Sequence, residues 1–517
     1  TAGFATLDDL AKYLGSVSAE QVFRPDHAPA GDDLRAFLHR AIDDNPNYQE
    51  AGEENAYSPA KLLVKLQNIG RVLQTFNQGA GPEVIAFNEF EIDFTPESKA
   101  TDHAAVLEKY KDVTVEEMLT TKLDDEIRGL PVEVLLLKYL EDEGMGGYQV
   151  AVGEDEADLS LLETTDRSVR RKAHKNAVFS KFPITDVKSH ATPDARDILE
   201  TTLDIDGQPL ILFVNHWKSR ASDLNAEQTR RLNARTLRDR LDAIMAENPS
   251  ADILVAGDFN SQYNQTKANP HLGKTAVNDV LGSQGDEATT AASTGFSLYN
   301  LWHELPPEKR YSDSYDGKWG TLMQKMVTPG LYDHRGVQYV DNSFMVVMVD
   351  DVNTVGVLNL PRRWTNFGAG AGTSDHFPIA AKFRTVDEDD TAKRLELSAP
   401  GREEDAPTEL MEVGFDSLET DDVPAFEPLQ GKDPATQIGE LFRVRGKITS
   451  LRPLAIEVGG EKYLLHSHNK DLRQQLRSYP KEGRLEFIGE LGTHRGQLQF
   501  VVGDEDWILK EPKPAKD

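Results

Sequence analysis

The sequence predicts a layered α/β protein followed by a small all-β domain. Three observations point there. The apolar runs Val84-Ile85-Ala86-Phe87, Leu210-Ile211-Leu212-Phe213-Val214 and Ile253-Leu254-Val255-Ala256 do not alternate with polar residues, the mark of strands covered on both faces. Between them lie stretches whose apolar residues recur at helical spacing. After residue 436 the pattern changes to alternating strands punctuated by glycine pairs.

Ser58 and Pro59 suit the N-cap and first position of a helix. Leu62, Leu66, Ile69, Leu73 and Phe76 continue it until Gly79, Gly81 and Pro82 stop it. The strand at 84–87 follows. Residues 226–246 predict a second helix, with Leu232, Leu237, Leu241 and Ile244 on one face, and residues 343–348 a fourth strand. Segments 1–50 and 97–175 are rich in helix formers and predict peripheral helices and loops.

Size and charge bound the rest. The chain has 517 residues, more than one domain's worth. Lys and Arg number 57 against 87 Asp and Glu, a net charge of −30, which excludes nucleic-acid binding by bulk positive charge. Cysteine is absent, excluding disulfide scaffolds, thiolate metal sites and thiol catalysis. No apolar run is long enough to span a bilayer. The chain opens on Thr1 with no signal-type apolar run, which favours an exported protein, extracellular or periplasmic, whose leader has been removed. Residues 385–435 carry sixteen acids, four bases and five prolines, the composition of a loosely packed linker. The expected domains are therefore 1–384, a linker over 385–435, and 436–517.

Polar residues cluster where the strands end. Asn88 and Glu89 follow the first run, Asn215 and His216 the second, with Lys218 just beyond, and Asp258 and Asn260 the third. Asp375 and His376 precede the run Ile379-Ala380-Ala381. Strand ends in layered α/β proteins are rigid and face a crevice, so chemistry gathers there. Three carboxylates, two histidines and several amides make an oxygen-rich site suited to Mg²⁺, Mn²⁺ or Ca²⁺. A hard cation with histidine is a phosphate-hydrolysis site in outline. Each piece alone is a turn or a capped loop as often as a site; their order and co-occurrence carry the weight.

That ordered set resembles the endonuclease/exonuclease/phosphatase superfamily. The segments that carry the resemblance are Pro82-Glu83-Val84-Ile85-Ala86-Phe87-Asn88-Glu89, Asn176-Ala177-Val178-Phe179-Ser180-Lys181-Phe182-Pro183-Ile184, Val214-Asn215-His216-Trp217-Lys218-Ser219, Leu254-Val255-Ala256-Gly257-Asp258-Phe259-Asn260-Ser261 and Ser374-Asp375-His376-Phe377-Pro378. The resemblance implies a four-layer α/β sandwich, two packed mixed sheets flanked by helices, over roughly residues 58–384. It implies Glu89 as a metal ligand, with Asp258 and Asp375 also at the metal. It gives Asp258 to the attacking water, Asn260 to nucleophile and phosphate, and His376, helped by Asp375, to charge on the phosphorus centre. His216 lies near the leaving group, and Asn88, Asn215 and Lys218 are expected on the substrate. In two places the chain departs from the family pattern. No apolar strand ending in asparagine precedes residue 58. Met323 stands where relatives carry the aspartate that orients the final histidine, which leaves Asp341 as an alternative partner for His376.

In the tail, 441–452, 454–458, 462–465, 484–491 and 497–502 read as strands and 469–478 as a helix, resembling an OB-fold barrel. Phe442, Val444 and Ile448 alternate inward with Arg443, Arg445 and Lys447 outward. These cations, with Arg452, Tyr463, His466, His468 and Arg495, are candidate nucleic-acid contacts, and the competing reading is a solvated barrel face. The expected activity is that of a divalent-metal-dependent phosphodiesterase, a nuclease on DNA or RNA. The alternatives are a phosphomonoesterase or a phospholipid/inositol phosphatase of the same superfamily, and a catalytically weak binding protein.

Overall fold

The structure, a computed structural model, describes residues 58–91, 102–153, 174–315, 317–414, 420–429, 431, 433–494, 496–503 and 505–512. The Ser58 hydroxyl accepts from Lys61 N and starts helix α1 (Pro59–Leu73), as its sequence predicts. Strand β1 (Val84–Glu91) follows, then three short helical turns and α2 (Val132–Asp142). β1 pairs antiparallel with β3 (His174–Ser180), which pairs with β2 (Gln149–Val152). The alternation of β1 explains two layers at once. Ile85 and Phe87 join Leu63, Leu66, Leu136 and Leu140 of the helices. Val84 and Ala86 turn inward to meet Leu210, Leu212, Leu254 and Ala256 of a second sheet.

The second sheet has seven strands in the order β4-β5-β6-β7-β12-β9-β8. They are β4 (Ile184–His190), β5 (Ile198–Ile205), β6 (Gln208–His216), β7 (Ile253–Asp258), β8 (Ser283–Gln284), β9 (Leu298–Asn300) and β12 (Met323–Val327). β6 and β7 run parallel, joined by α3 (Leu224–Glu247). Ala234, Leu237, Leu241 and Ile244 of α3 pack on Phe213, Ile253 and Val255, the sheet's outer face. Helices, sheet, sheet and helix make the four-layer sandwich. Leu232, expected on the packed face of α3, is 54% exposed. It lies five residues before Leu237, and steps of about 100° carry it round to solvent.

Hairpin β10–β11 (Asp313–Tyr315, Lys318–Gly320) precedes β12. β13 (Asp333–Tyr339) and β14 (Met345–Val346) follow, then a small β15–β16 pair (Thr354–Val355, Leu360–Pro361), β17 (Ile379–Ala380) and β18 (Phe383–Arg394). The strand expected over 343–348 is reduced to β14, which pairs with β17. Among the described residues no strand bridges β1 and β17. They flank a cleft of about 1740 Å³ floored by Leu210, Leu212, Leu254 and Ala256. Residues 1–57, where the sequence offers no apolar opening strand ending in asparagine, lie outside the described residues.

The acidic stretch is not a loose linker. Residues 385–394 lie in β18 and pair with β13. Leu395, Leu397 and Ala406 pack in the core between the sheets, and Val413 joins Trp319 and Phe377. Val423, Phe426 and Leu429 enter the core of the tail domain. Charge dominates the composition because the apolar residues are few and widely spaced, yet those named here are packed in the cores.

The tail is a closed five-stranded barrel of β19 (Leu441–Leu451), β20 (Leu454–Val458), β21 (Glu461–His466), β22 (Arg484–His494) and β23 (Gln497–Val501), closed by β19 on β22, with an edge strand β24 (Ile508–Lys510). A helix (Lys470–Ser478) lies between β21 and β22. Phe442, Val444 and Ile448 face inward as the alternation predicts.

Candidate active site

Glu89 does not follow β1 but interrupts it. The β1–β3 register slips between Phe87 and Phe90, and Glu89 has φ of 58°. This bulge turns the Glu89 carboxylate out of the pleat toward the cleft. Asn88, beside it, faces the protein. Its Nδ2 donates to Asn176 Oδ1 (2.7 Å) and Asn215 O (2.9 Å), and its Oδ1 accepts from Asp258 N (3.1 Å). One amide thus ties together β1, β3, β6 and β7 at the level of the site.

β6 and β7 end together, with His216 opposite Asp258 in register. Gly257, φ 129°, permits this approach, because a Cβ there would overlap the Asn215 carbonyl. Asp258 is buried and doubly held: Asn260 N donates to Oδ1 (2.8 Å) and Asn260 Nδ2 to Oδ2 (3.0 Å). Asn260 in turn donates to Trp217 O (3.1 Å), with a φ of 47° that asparagine tolerates. His216 Nε2 lies 3.5 Å from Asp258 Oδ2 and 3.7 Å from Glu89 Oε1. Arg196, which sequence reasoning missed, places NH2 3.9 Å from the same Glu89 oxygen. Burial pushes the Asp258 carboxyl up to about 6, partly offset by the His376 charge and the Asn260 amide.

His376 comes from the opposite wall. Its ring lies 3.9 Å from Asp375 Oδ1 on one side and 3.8 Å from Asp313 Oδ1 on the other. Asp313 is the partner that sequence reasoning failed to find. Asp341 is instead held by Ser398, and Met323 pairs in register with Asp258. The missing carboxylate reaches the site from the neighbouring hairpin: Asp313 Oδ1 accepts from Ser312 Oγ (2.9 Å) and Leu322 N (3.1 Å). Gly320 makes the room, since a Cβ there would overlap Asp313 Oδ2. The one sequence signal was an aspartate inside a strand-like run, Tyr311-Ser312-Asp313-Ser314-Tyr315. Burial lowers the His376 imidazole, but Asp258, Asp313, Asp375 and Glu89 together outweigh it and raise its affinity for a proton.

Asn88, Glu89, His216, Asp258, Asn260, Asp375 and His376 therefore line one cleft. The other substrate candidates do not. Asn215 is fully buried, donating to Ala256 O (3.3 Å) and accepting from Trp217 Nε1 (3.1 Å), so it is a strut between strands. Lys218 Nζ is engaged by Asp194 Oδ2 at 2.6 Å. On the barrel, Arg443 meets Asp421, Arg445 meets Glu486 and Lys447 meets Glu482. Phe442, Tyr463, Phe487, Phe500 and Trp507 are buried in the barrel core, leaving none of these rings free to stack on a base. Arg495 lies outside the described residues. Arg443, Arg445 and Lys447 are thus paired with acids, whereas His466 sits among His468, Arg473, His494 and Arg477. Glu89, Asp258 and Asp375 supply hard oxygen donors of the kind a divalent cation takes, although their ligand atoms are not all within 4.8 Å of one another in this structure.

A family model described as the endonuclease/exonuclease/phosphatase family matches residues 170–385, the stretch that supplies His216, Asp258, Asn260, Asp313, Asp375 and His376. This stretch is similar to the endonuclease/exonuclease/phosphatase family. No curated protein matches the chain. Among solved structures, TDP2 of D. rerio, humanized by 14 mutations, is 14% identical over 63% of this chain and 93% of its own, with a TM-score of 0.34. A member of the endonuclease/exonuclease/phosphatase family from Leptotrichia buccalis is 14% identical over 62% and 93%, with a TM-score of 0.35. The human Nocturnin catalytic domain with bound sulfate is 14% identical over 46% and 73%, with a TM-score of 0.27. Among the described residues no helix is long and apolar enough to cross a membrane.

Proposed function

We propose that the protein is a divalent-metal-dependent phosphodiesterase that cleaves nucleic acid by direct attack of water. The observation that carries this reading is the convergence of Glu89, His216, Asp258, Asn260 and His376 on one cleft, with the Asp258 carboxyl raised to about 6. The ionised Asp258 carboxylate, held beside the cleft, can take a proton from water. Its two bonds from Asn260 fix the orientation of the carboxylate. His376, whose hold on a proton four surrounding carboxylates strengthen against the effect of burial, is the group that would donate to a phosphoryl oxygen from the opposite wall. Glu89, Asp258 and Asp375 would hold the cation, which when bound neutralises a phosphate oxygen and stabilises the departing one. Arg363 and Trp364, on the rim of the same cleft, offer a cation and an aromatic edge to a polymer strand.

The test is incubation with supercoiled plasmid, single-stranded DNA and RNA, and with bis-p-nitrophenyl phosphate and its monoester. Each is run in Mg²⁺ or Mn²⁺, with and without chelator, beside Asp258→Ala. Chelator-sensitive cleavage of a polynucleotide, lost in the variant, is the expected result. Turnover of the monoester alone would overturn the diesterase assignment, and turnover of the small diester alone would overturn the polymer assignment.

A further inference from the structure

A second group of carboxylates lies apart from the catalytic set. Glu287 opens a short helix (Glu287–Ala292), Glu304 ends the turn after β9 (Leu301–Glu304), and Asp341 follows β13. One oxygen from each lies within 4.8 Å of the others. Oxygens at 2.3–2.6 Å from one calcium ion are at most about 5 Å apart, so the three fit around a single ion without rearrangement. Hydrogen bonds orient all three, to both oxygens of Glu287 and to one each of Glu304 and Asp341. Glu287 accepts from Tyr332 Oη (2.9 Å) and Gly401 N (3.0 Å), Glu304 Oε2 from Tyr339 Oη (2.6 Å), and Asp341 Oδ2 from Ser398 N and Oγ (2.8 Å each).

Second-row evidence comes from what is left over. Glu304 Oε1 and Asp341 Oδ1 are buried and meet no hydrogen-bond criterion, although the Phe344 N–H and Glu287 lie close to the Glu304 carboxylate. Tyr299, fully buried, leaves its hydroxyl without a partner, pressed against Gly401, whose N–H holds Glu287. Among the described residues no Lys, Arg or His nitrogen forms an ion pair with any of the three acids; the guanidinium of Arg310 is spent on Leu305 O, Tyr263 Oη and His303 O. Burial raises Glu287 to about 7 and Glu304 to about 8, the behaviour of acids that lack a counter-charge. Every donor is oxygen, with no nitrogen or sulfur, which selects a hard cation.

We propose that Glu287, Glu304 and Asp341 bind a calcium-type divalent cation distinct from the catalytic one. Its role is structural. Ser398 and Gly401 belong to the acidic stretch, so an ion here pins that stretch to the short helix, the turn after β9 and the end of β13.

Terbium luminescence tests this directly, because Tyr299, Tyr332, Tyr339 and Trp302 surround or adjoin the site and can sensitise a bound Tb³⁺. The full chain is titrated with Tb³⁺, then with Ca²⁺ as competitor, beside Glu304→Gln/Asp341→Asn and beside Glu89→Gln in the catalytic cleft. The expected result is sensitised emission displaced by Ca²⁺, reduced at least fivefold in the double variant and retained in Glu89→Gln. Thermal melting runs alongside: Ca²⁺ raises the wild-type Tm by several degrees and leaves the double variant unmoved. Because the amides remove repulsion, the double variant in chelator melts at or above the wild type, which separates loss of the site from loss of fold. Emission that survives the double variant, or vanishes in Glu89→Gln, overturns the proposal, as does an equal Ca²⁺ effect on both melts. These readouts are independent of catalysis.

Discussion

The pairing of Asp313 with His376 is the feature of the site most open to quantitative attack. Asp313→Asn keeps an oxygen to accept from Leu322 N and Ser312 Oγ while removing the charge 3.8 Å from His376 Nδ1. At that separation two unit charges interact by about 1 kcal/mol under full water screening and about 4 kcal/mol at an effective dielectric of 20. Asp313 is buried, so the larger figure is the nearer one. The loss corresponds to roughly a fivefold to thousandfold fall in the protonated fraction of His376 once its pH range is reached. The sign is fixed. A histidine raised by its partner keeps its proton to higher pH, so removing the partner moves the alkaline limb of kcat/KM to lower pH. Asp313→Asn should approach wild-type rates on the acid side of the profile and fall progressively behind on its alkaline side, by at least about fivefold. The assay is a pH profile on bis-p-nitrophenyl phosphate, with NMR titration of the His376 ring as a second readout. Two results would refute the reasoning: a variant slowed equally at every pH, or one whose alkaline limb and His376 titration coincide with the wild type.

Other outcomes follow from the same geometry. Asn88→Ala removes three hydrogen bonds at about 1 kcal/mol each, so the urea midpoint should fall by the equivalent of about 3 kcal/mol, and activity with it; an unchanged midpoint would deny Asn88 its bracing role. Arg230 is fully buried, paired with Glu227 and donating to the carbonyls of Lys218, Arg220 and Ala221. Arg230→Leu leaves Glu227 buried without its partner and should cost about 3–5 kcal/mol by urea unfolding. Asp252 is pushed up to about 8 by burial, so the folded chain holds a proton that the unfolded chain releases near pH 4. That contribution to stability is complete below about pH 4 and is lost as pH rises to 8. The stability of Asp252→Asn relative to wild type should therefore climb by up to about 1.4 kcal/mol per pH unit between pH 5 and 8 and level off above, as urea unfolding at four pH values would read; a difference that stays flat is the contrary result.

Much of this site was legible because its residues sit next to the strands that carry them. Glu89, His216, Asp258 and His376 each adjoin an apolar run, so finding the run finds the residue. The layers were legible too, since Val84 through Phe87 are apolar on both faces and both faces are covered. Asp313 was not, because its use depends on a hairpin bringing it beside β12, and nothing near Met323 in sequence reports that. Asn215 misled for the reverse reason: adjacency to His216 placed it at the site, while the pleat turned it into the protein. The barrel's Arg443 and Arg445 looked like a basic stripe because Asp421 and Glu486, which meet them, are distant in sequence.

The path of residues 385–429 decides how this protein can be cut. A fragment ended at residue 384, where composition changes, would deprive β13 of the strand it pairs with and withdraw Leu395, Leu397 and Ala406 from between the sheets. Ended after residue 414, it would keep that strand, the Ser398 and Gly401 contacts, and Val413 against Trp319 and Phe377. A barrel fragment, conversely, needs to begin before Val423 to retain Val423, Phe426 and Leu429 in its own core. The boundary between the two halves thus falls some thirty residues beyond the point where the acidic run begins, and expression fragments or domain fusions drawn at the compositional break would inherit one half with a missing strand and the other with a surplus one.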